Sequence, residues 1–419
     1  MRNPDALNQL GFAMGRVYAA TTDRILINLA RHFQYLEPGE EPGGAFIYQA
    51  KKLAEMGQVT RETMNIIKAM LGDADQALKD CLEQTILDAL ETVEPKLRKA
   101  AEEGLLPNRA PPELSPRMTN AFVEYYRQSA DKLNLVNTVM LQSTQRAYQG
   151  MVSDLTSRMI RAQGVLNTAT GQIVTGAESF NEALRQATAN MMVNGITGFV
   201  DHGGHRWTPE TYVAMDMRTT FHNVARQAFF DRNQEYGNDL YVVSWHPGAR
   251  PLCYPWQGKV ISRTGGSGWT KDAQGNKVRV YAQDETSYGE PAGLFGINCG
   301  HHPMLFIPGA TRVMEPKQNE EQNEKQYAES QQQRALERDL REARRDYEVL
   351  KAQNASAEEM RAAKNRIRNA ENALDQFCEA TGRARRRERE YAPVRATWPD
   401  VDGGTVERFG GGYIPTTRG

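Results

Sequence analysis

The chain is short of cysteine: four in 419 residues, too few for the disulfide framework of a small secreted fold. It has no run of about 18 consecutive apolar residues, which excludes a membrane-spanning helix. The segment Met1 to Gly15 lacks the basic-then-apolar order of a secretory signal, so a protein kept in a cytoplasm is expected. Charge of one sign is missing as well. Lys and Arg together number 51 and Asp and Glu 52, a formal net charge of −1. That argues against a surface that binds nucleic acid throughout and leaves only local basic patches. No P-loop, dinucleotide fingerprint or HExxH motif occurs, and there is no internal repeat. At this length, two to four structural units are expected.

What is present is mostly helix. Within residues 1–104, Ile25, Leu29, Phe33 and Leu36 recur at helical spacing and form one apolar face. Gly43-Gly44 breaks it. The pattern then predicts a short helix ending near Met56-Gly57, with Gly57 as a left-handed cap. Next come a helix capped by Thr60 with Met64, Ile67 and Leu71 on one side, and one capped by Asp73 with Leu78, Leu82, Ile86, Ala89 and Val93 as its stripe. A Pro-rich break from Leu105 to Pro112 precedes a second helical stretch, residues 116–200. There Ser115-Pro116 reads as N-cap and first turn, and a long helix runs to Ala162.

Composition changes after His202. Thr208-Pro209-Glu210 reads as a capped start for a helix reaching Gln234, and Leu240 to Trp245 is a short β-rich run. From His246 to Pro308 the chain is rich in Gly, Pro and aromatics. Turn signals at Thr264 to Gly268 and Gln274 to Asn276 separate strand candidates such as Lys277 to Tyr281. Residues 201–314 are therefore expected to form a small α+β module. Beyond 315, Leu336, Leu340, Ala343, Tyr347 and Leu350 make a heptad seam. Asn354 to Ser356 interrupts it, Ser356 with Glu359 forms a capping box, and Met360, Ala363, Ile367, Ala370, Leu374 and Phe377 resume the spacing up to Thr381-Gly382. An antiparallel hairpin over residues 315–392 fits this pattern, and so does an intermolecular coiled coil. Residues 393–419 read as a disordered Gly-rich tail. The expected fold class is mainly α with a small α+β module: an elongated helical N-terminal region, a Gly/Pro/aromatic-rich mixed module and a C-terminal helical hairpin.

Chemistry-bearing residues concentrate in the mixed module. Thiolate and imidazole together suit Zn²⁺, which favours four N or S ligands. Cys299-x-His301 puts two donors at alternate positions, which an extended segment can aim one way. His246 and Cys253, on a loop, complete the candidate metal set His246, Cys253, Cys299 and His301. The spacing matches no standard zinc finger. The same residues also read as small buried hydrophobes and hydrogen-bonding staples. A Cys/His nucleophile–base pair, as in a hydrolase or nuclease, is a rival reading that needs an activated thiolate. His202 and His205 offer two readings, a loop site or, first, polar turn residues, and Arg218 reads as half of a buried ion pair. Arg383, Arg385, Arg386 and Arg387, with Arg389, form a basic cluster that can touch DNA phosphate. Glu388 and Glu390 interrupt it, and a solvated helix end is the other reading.

Several of these clusters, taken in order, resemble a known family. They are Met217-Arg218-Thr219, Ser244-Trp245-His246, Gly248-Ala249-Arg250-Pro251, Trp256-Gln257-Gly258-Lys259, Gly293 to His301 and Pro308-Gly309. The family is the phage minor capsid protein 2 family, related to the Mu F-like and SPP1 head-morphogenesis proteins. The resemblance runs back through Leu53-Ala-Glu-Met56-Gly57 and forward through Tyr327 and Gln331 to Arg334, as far as about residue 390. It implies a non-enzymatic structural protein of a tailed-phage head, present in few copies, associated with the portal and packaged during procapsid assembly. Its implied partners are the portal protein, with the helical residues 1–200 as the contacting region, and other head proteins; packaged DNA is a partner only through the basic cluster Arg383, Arg385, Arg386 and Arg387, and the lack of a long apolar run argues against a membrane. Its implied locations are the virion head near the portal and the host cytoplasm during assembly. Relatives often have His where this chain has Cys253, an exchange compatible with a zinc ligand.

Overall fold

A computed structural model describes residues 4–110, 116–163, 177–313 and 319–390. Ser115, expected as an N-cap, and residues 393–419 lie outside the described residues. Helices α1 (Pro4–Arg31), α2 (Ala45–Ala54), α3 (Met56–Leu71), α4 (Ala74–Glu102), α5 (Pro116–Gln163) and α6 (Ala177–Asn194) come first. A two-residue pairing of β1 (Phe199–Val200) with β2 (Arg206–Trp207) follows. Helix α7 (Pro209–Glu235) starts where Thr208 Oγ1 accepts the Thr211 N–H and Pro209 enters the first turn. It forms the axis of the fold, with Val213, Met217, Phe221, Val224 and Ala228 buried among α1, α4 and α5. One apolar core joins Ile25, Leu29 and Phe33 of α1 to Leu78 and Leu82 of α4, Met140 and Leu155 of α5 and Leu184 of α6.

The α1–α7 crossing depends on two glycines one turn apart. A Cβ on Gly11 would fall 2.3 Å from Arg218 Cγ, and one on Gly15 would fall 2.6 Å from Ala214 Cβ. Close-packed interiors leave no slack for either, so any other residue at these positions would push the helices apart.

One expected helix end, at Gly57, and one expected start, at Thr60, are corrected. Helix α2 passes into α3 through Glu55 alone, which is itself right-handed helical at φ −71° and ψ −13°. Gly57 therefore lies inside α3 and caps nothing. Thr60 is also interior, and its hydroxyl donates back to Met56 O at 2.9 Å, the local bond a threonine takes within a helix. Asp73 does stand at the N-cap of α4, but its side chain makes no capping bond.

The mixed module holds a five-stranded sheet of β3 (Leu240–Val243), β4 (Val260–Ser262), β5 (Gly268–Lys271), β6 (Lys277–Ala282) and β7 (Pro303–Leu305), in the order β5-β6-β4-β3-β7. Only β4 and β6 run parallel. Tyr241 pairs with Ile261 on one side and Leu305 on the other. This sheet packs on the end of α7 through Phe229 and Phe230, and with Leu97 of α4 makes a second core. Arg232 Nε reaches Glu94 Oε2 at 2.7 Å, and the Tyr236 hydroxyl donates to Glu94 at 3.0 Å, a buried tie between α4 and α7.

Helices α8 (Glu320–Ala352) and α9 (Ala357–Thr381) form the antiparallel hairpin within one chain. Ser356 and Glu359 make their capping box, and Gly382 ends α9 at φ 68°. Leu340, Leu374 and Cys378 are buried along the seam, with Leu336, Ile367 and Ala370 against them. The hairpin lies on the helical body rather than projecting from it. Its turn accepts the Tyr35 N–H at Gln353 O (3.0 Å), and Tyr35 Oη donates to Glu359 at 2.8 Å. Arg345 of α8 bridges Asp23 of α1 at 2.5 Å and Glu210 of α7 at 3.2 Å.

Candidate metal centre

Strands β3 and β7 lie side by side, so the segments that extend them are neighbours too. The Ser244 N–H donates to His302 O, and the His302 N–H to Ser244 Oγ, both at 3.0 Å. This pairing brings the chain at His246 beside the chain at His301, with ring centroids 5.7 Å apart. Glycine at position 300 permits this approach, since a Cβ would sit 2.6 Å from the His246 ring and displace it. Cys253 precedes a single 3-10 turn, Tyr254–Trp256, and its N–H is held by Arg250 O at 2.9 Å. Cys299 ends a tight loop in which Phe295 (φ 60°) and Asn298 (φ 57°) are both left-handed, a conformation that Asn tolerates and that is strained for the bulky Phe295.

The outcome is a compact buried trio. Cys253 Sγ lies 3.9 Å from Cys299 Sγ, and Cys299 Sγ lies 3.3 Å from His301 Nδ1. The three donor atoms all fall within 4.8 Å of one another, and the three residues are buried. Among the described residues, no other group of three or more His, Cys, Asp or Glu side chains is gathered so tightly. Two zinc–sulfur bonds of about 2.3 Å at a tetrahedral angle put their sulfurs about 3.8 Å apart, so the observed separation fits the ion.

Electrostatics separates the two thiols. The Cys253 S–H has two acceptors in reach, the Cys299 sulfur and Gly293 O at 3.3 Å. The contact with Cys299, and then burial, push the Cys253 thiol up. The Cys299 thiol is held down, first by the hydrogen bond from Cys253 and also by His301. Cys299 is thus the more acidic of the two thiols and lies beside an imidazole, and the thiolate is the form that binds metal.

His246 stands apart from the trio. The residue is exposed at the rim, though burial of its ring against the loop, and then the neighbouring His301, hold its imidazole below the ordinary histidine range. The structure therefore gathers three of the four sequence candidates and leaves the fourth beside them.

Other candidates take up different positions. His202 and His205 lie in the exposed turn between β1 and β2, where the His205 N–H donates to Asp201 at 2.9 Å. Arg218 forms no carboxylate pair among the described residues, correcting the ion-pair expectation. It lies over the Phe12 ring at 4.4 Å and donates to Ala214 O, and burial lowers its pKa to about 9. The basic cluster folds back on the hairpin. Arg383 donates to Gln333 at 2.8 Å and Arg385 pairs with Glu390 at 2.7 Å, while Arg386 and Arg387 remain exposed.

The chain matches the family described as phage minor capsid protein 2 over residues 3–379. A protein described as "Structural protein" of Lactococcus phage LL-H is similar to it, 25% identical over 296 residues that cover 70% of this chain and 75% of that one. No solved structure matches the chain.

Proposed function

Because the chain belongs to the phage minor capsid protein 2 family, and is thus a minor structural protein of a bacteriophage head, we propose that it assembles at the portal and is packaged with the procapsid. The observation that carries the reading is the reach of the family match, which takes in the N-terminal helices, the mixed module and the hairpin alike. On this reading the protein is a structural part of the virion and not a catalyst, built in the host cytoplasm and retained near the portal. The apolar surface of α2 and α3 supports a docking role for the N-terminal region. Phe46 is 70% exposed and Ile47 74%, with Leu53 and Met64 also outside the core, and exposed apolar groups of this size mark contact surfaces. DNA contact through Arg383, Arg385, Arg386 and Arg387 is weaker as a reading, because the first two are engaged inside the chain.

The test is co-expression with the portal protein of the same phage and capture of the full chain. Removing residues 1–100 would strip Leu29 and Phe33 from the core, so surface variants are the proper probe. Phe46→Asp with Ile47→Asp should abolish capture while leaving the helical circular dichroism unchanged. Undiminished capture would reject docking through α2, and failure of the wild-type chain to be captured would reject the portal as partner.

A second proposal concerns the mixed module: Cys253, Cys299 and His301 hold Zn²⁺, with His246 reaching in from the rim as the fourth ligand. The spacing of the two sulfurs, the His301 imidazole within 3.3 Å of Cys299 Sγ and the lowered pKa of that thiol support it. In that role the ion would be structural, cross-linking loops that have little regular structure of their own.

A further inference from the structure

The loop that carries Cys299 contains a strained residue, Phe295, and a second left-handed one, Asn298. A bulky side chain keeps that conformation only where its surroundings over-determine it. Hydrogen bonds inside the loop fold it on itself, among them Ile297 N–H to Pro291 O at 2.8 Å and Cys299 N–H to Gly296 O at 3.0 Å. The two left-handed residues are also gripped from outside, by helix α7. Thr219, Asn223 and Arg226 share one face of α7 by their helical spacing. Thr219 Oγ1 accepts the Asn298 N–H at 3.3 Å. Arg226 Nη2 donates to Phe295 O at 2.9 Å, and its guanidinium lies over the Phe295 ring, 4.9 Å from the centroid. Asn223 Oδ1 accepts from the same nitrogen and orients the guanidinium. A further tie joins this loop to the chain beside Cys253. The Ser287 hydroxyl donates to Leu252 O at 2.6 Å and accepts the Leu294 N–H at 2.9 Å.

Arg226 is only 5% exposed. Burying a cation is costly, and the Cys299 sulfur is the group that most offsets that cost. The directed contacts of Arg226 go to the Cys299 loop and to the residue that orients it. We infer that Thr219, Asn223 and Arg226 form a template on α7 that sets the Cys299 loop in a shape ready for metal. Arg226 and Thr219 are then positioning residues for the two thiols, which they do not ligate. Because α7 also packs on α1 and α4, the donors are registered against the axis of the fold and not left on a free loop. The inference rests on the zinc reading for its effect on metal affinity, whereas the held shape of the loop is measurable without metal.

The experiment treats the full chain, freed of metal by a chelator, with iodoacetamide and follows alkylation at each cysteine by peptide mass spectrometry. All four thiols are buried, so each reacts only as its surroundings open. Thr219→Val keeps the shape of the side chain and removes the acceptor. It and Arg226→Met should each speed alkylation of Cys253 and Cys299 about tenfold, the scale of one hydrogen bond, with Cys81 and Cys378 unchanged. Arg226→Lys keeps the charge without the planar fork and should fall between. Zn²⁺ affinity, read by competition with a chromophoric chelator, should weaken by a similar factor. Thr219→Val decides the matter if Arg226→Met does not fold. Equal acceleration at all four thiols would show a general loss of stability, and no acceleration at Cys299 would show a loop that holds itself; either result overturns the inference. If the wild-type chain takes up no zinc while the two loop thiols still respond, the zinc reading fails and the template stands.

Discussion

Cys299 is the residue on which the zinc proposal turns, since its sulfur has Cys253 on one side and His301 on the other. In Cys299→Ser, zinc in the purified protein should fall from about one ion per chain to near none, and the melting temperature should drop with it. If the trio holds no metal, the substitution alters only a small buried side chain, at a cost of about 1–2 kcal/mol. Zinc content that is absent from both proteins after exposure to Zn²⁺ would sink the proposal. The convergence of the trio could be read from alternate donors at Cys299 and His301 beside a loop that bears Cys253. The place of His246 could not, because sequence spacing says nothing about which side of a rim a ring faces.

Helices were legible wherever a local signal does physical work at an end. Thr208-Pro209, Ser356 with Glu359, and Gly382 all stand at helix termini, and each satisfies backbone groups there or supplies a left-handed residue. The misreadings at Gly57 and Thr60 share one cause: both residue types also occur inside helices, and tertiary packing carried α3 through them. The strand pairing was beyond reach for a different reason. A parallel β4–β6 contact with a hairpin strand outside it is a matter of long-range register, which no local pattern encodes. The hairpin offers a direct measurement. Leu374 is fully buried in the seam against Leu340, so Leu374→Ala should destabilise the protein by about 2–5 kcal/mol in denaturant unfolding. A loss under about 0.5 kcal/mol, the scale of a surface substitution, would mean that the seam is not closed in solution.

Across the whole molecule, one apolar core runs from α1 to Val349 in the hairpin, while the mixed module and the hairpin seam keep clusters of their own. Arg345 is the polar counterpart of that continuity, joining Asp23, Glu210 and its own helix across three distant parts of the chain. Arg345→Met leaves two buried carboxylates facing each other with Arg341 as the remaining nearby cation, and stability should fall by about 3 kcal/mol. Adding Asp23→Asn should restore a substantial share. Limited proteolysis at the Asn354 turn should accelerate in the single variant and slow again in the double, whereas equal digestion of all three proteins would show that the triad does not hold the hairpin down. The seam at Gly11 and Gly15 extends this dependence into the order of synthesis. The partner face of α1 is α7, roughly 200 residues later, which at about 5–20 residues per second leaves the ribosome some 10–40 s after it. For that interval the apolar side chains of α1 beside the two glycines, Leu7, Met14 and Tyr18 among them, have no α7 to pack on.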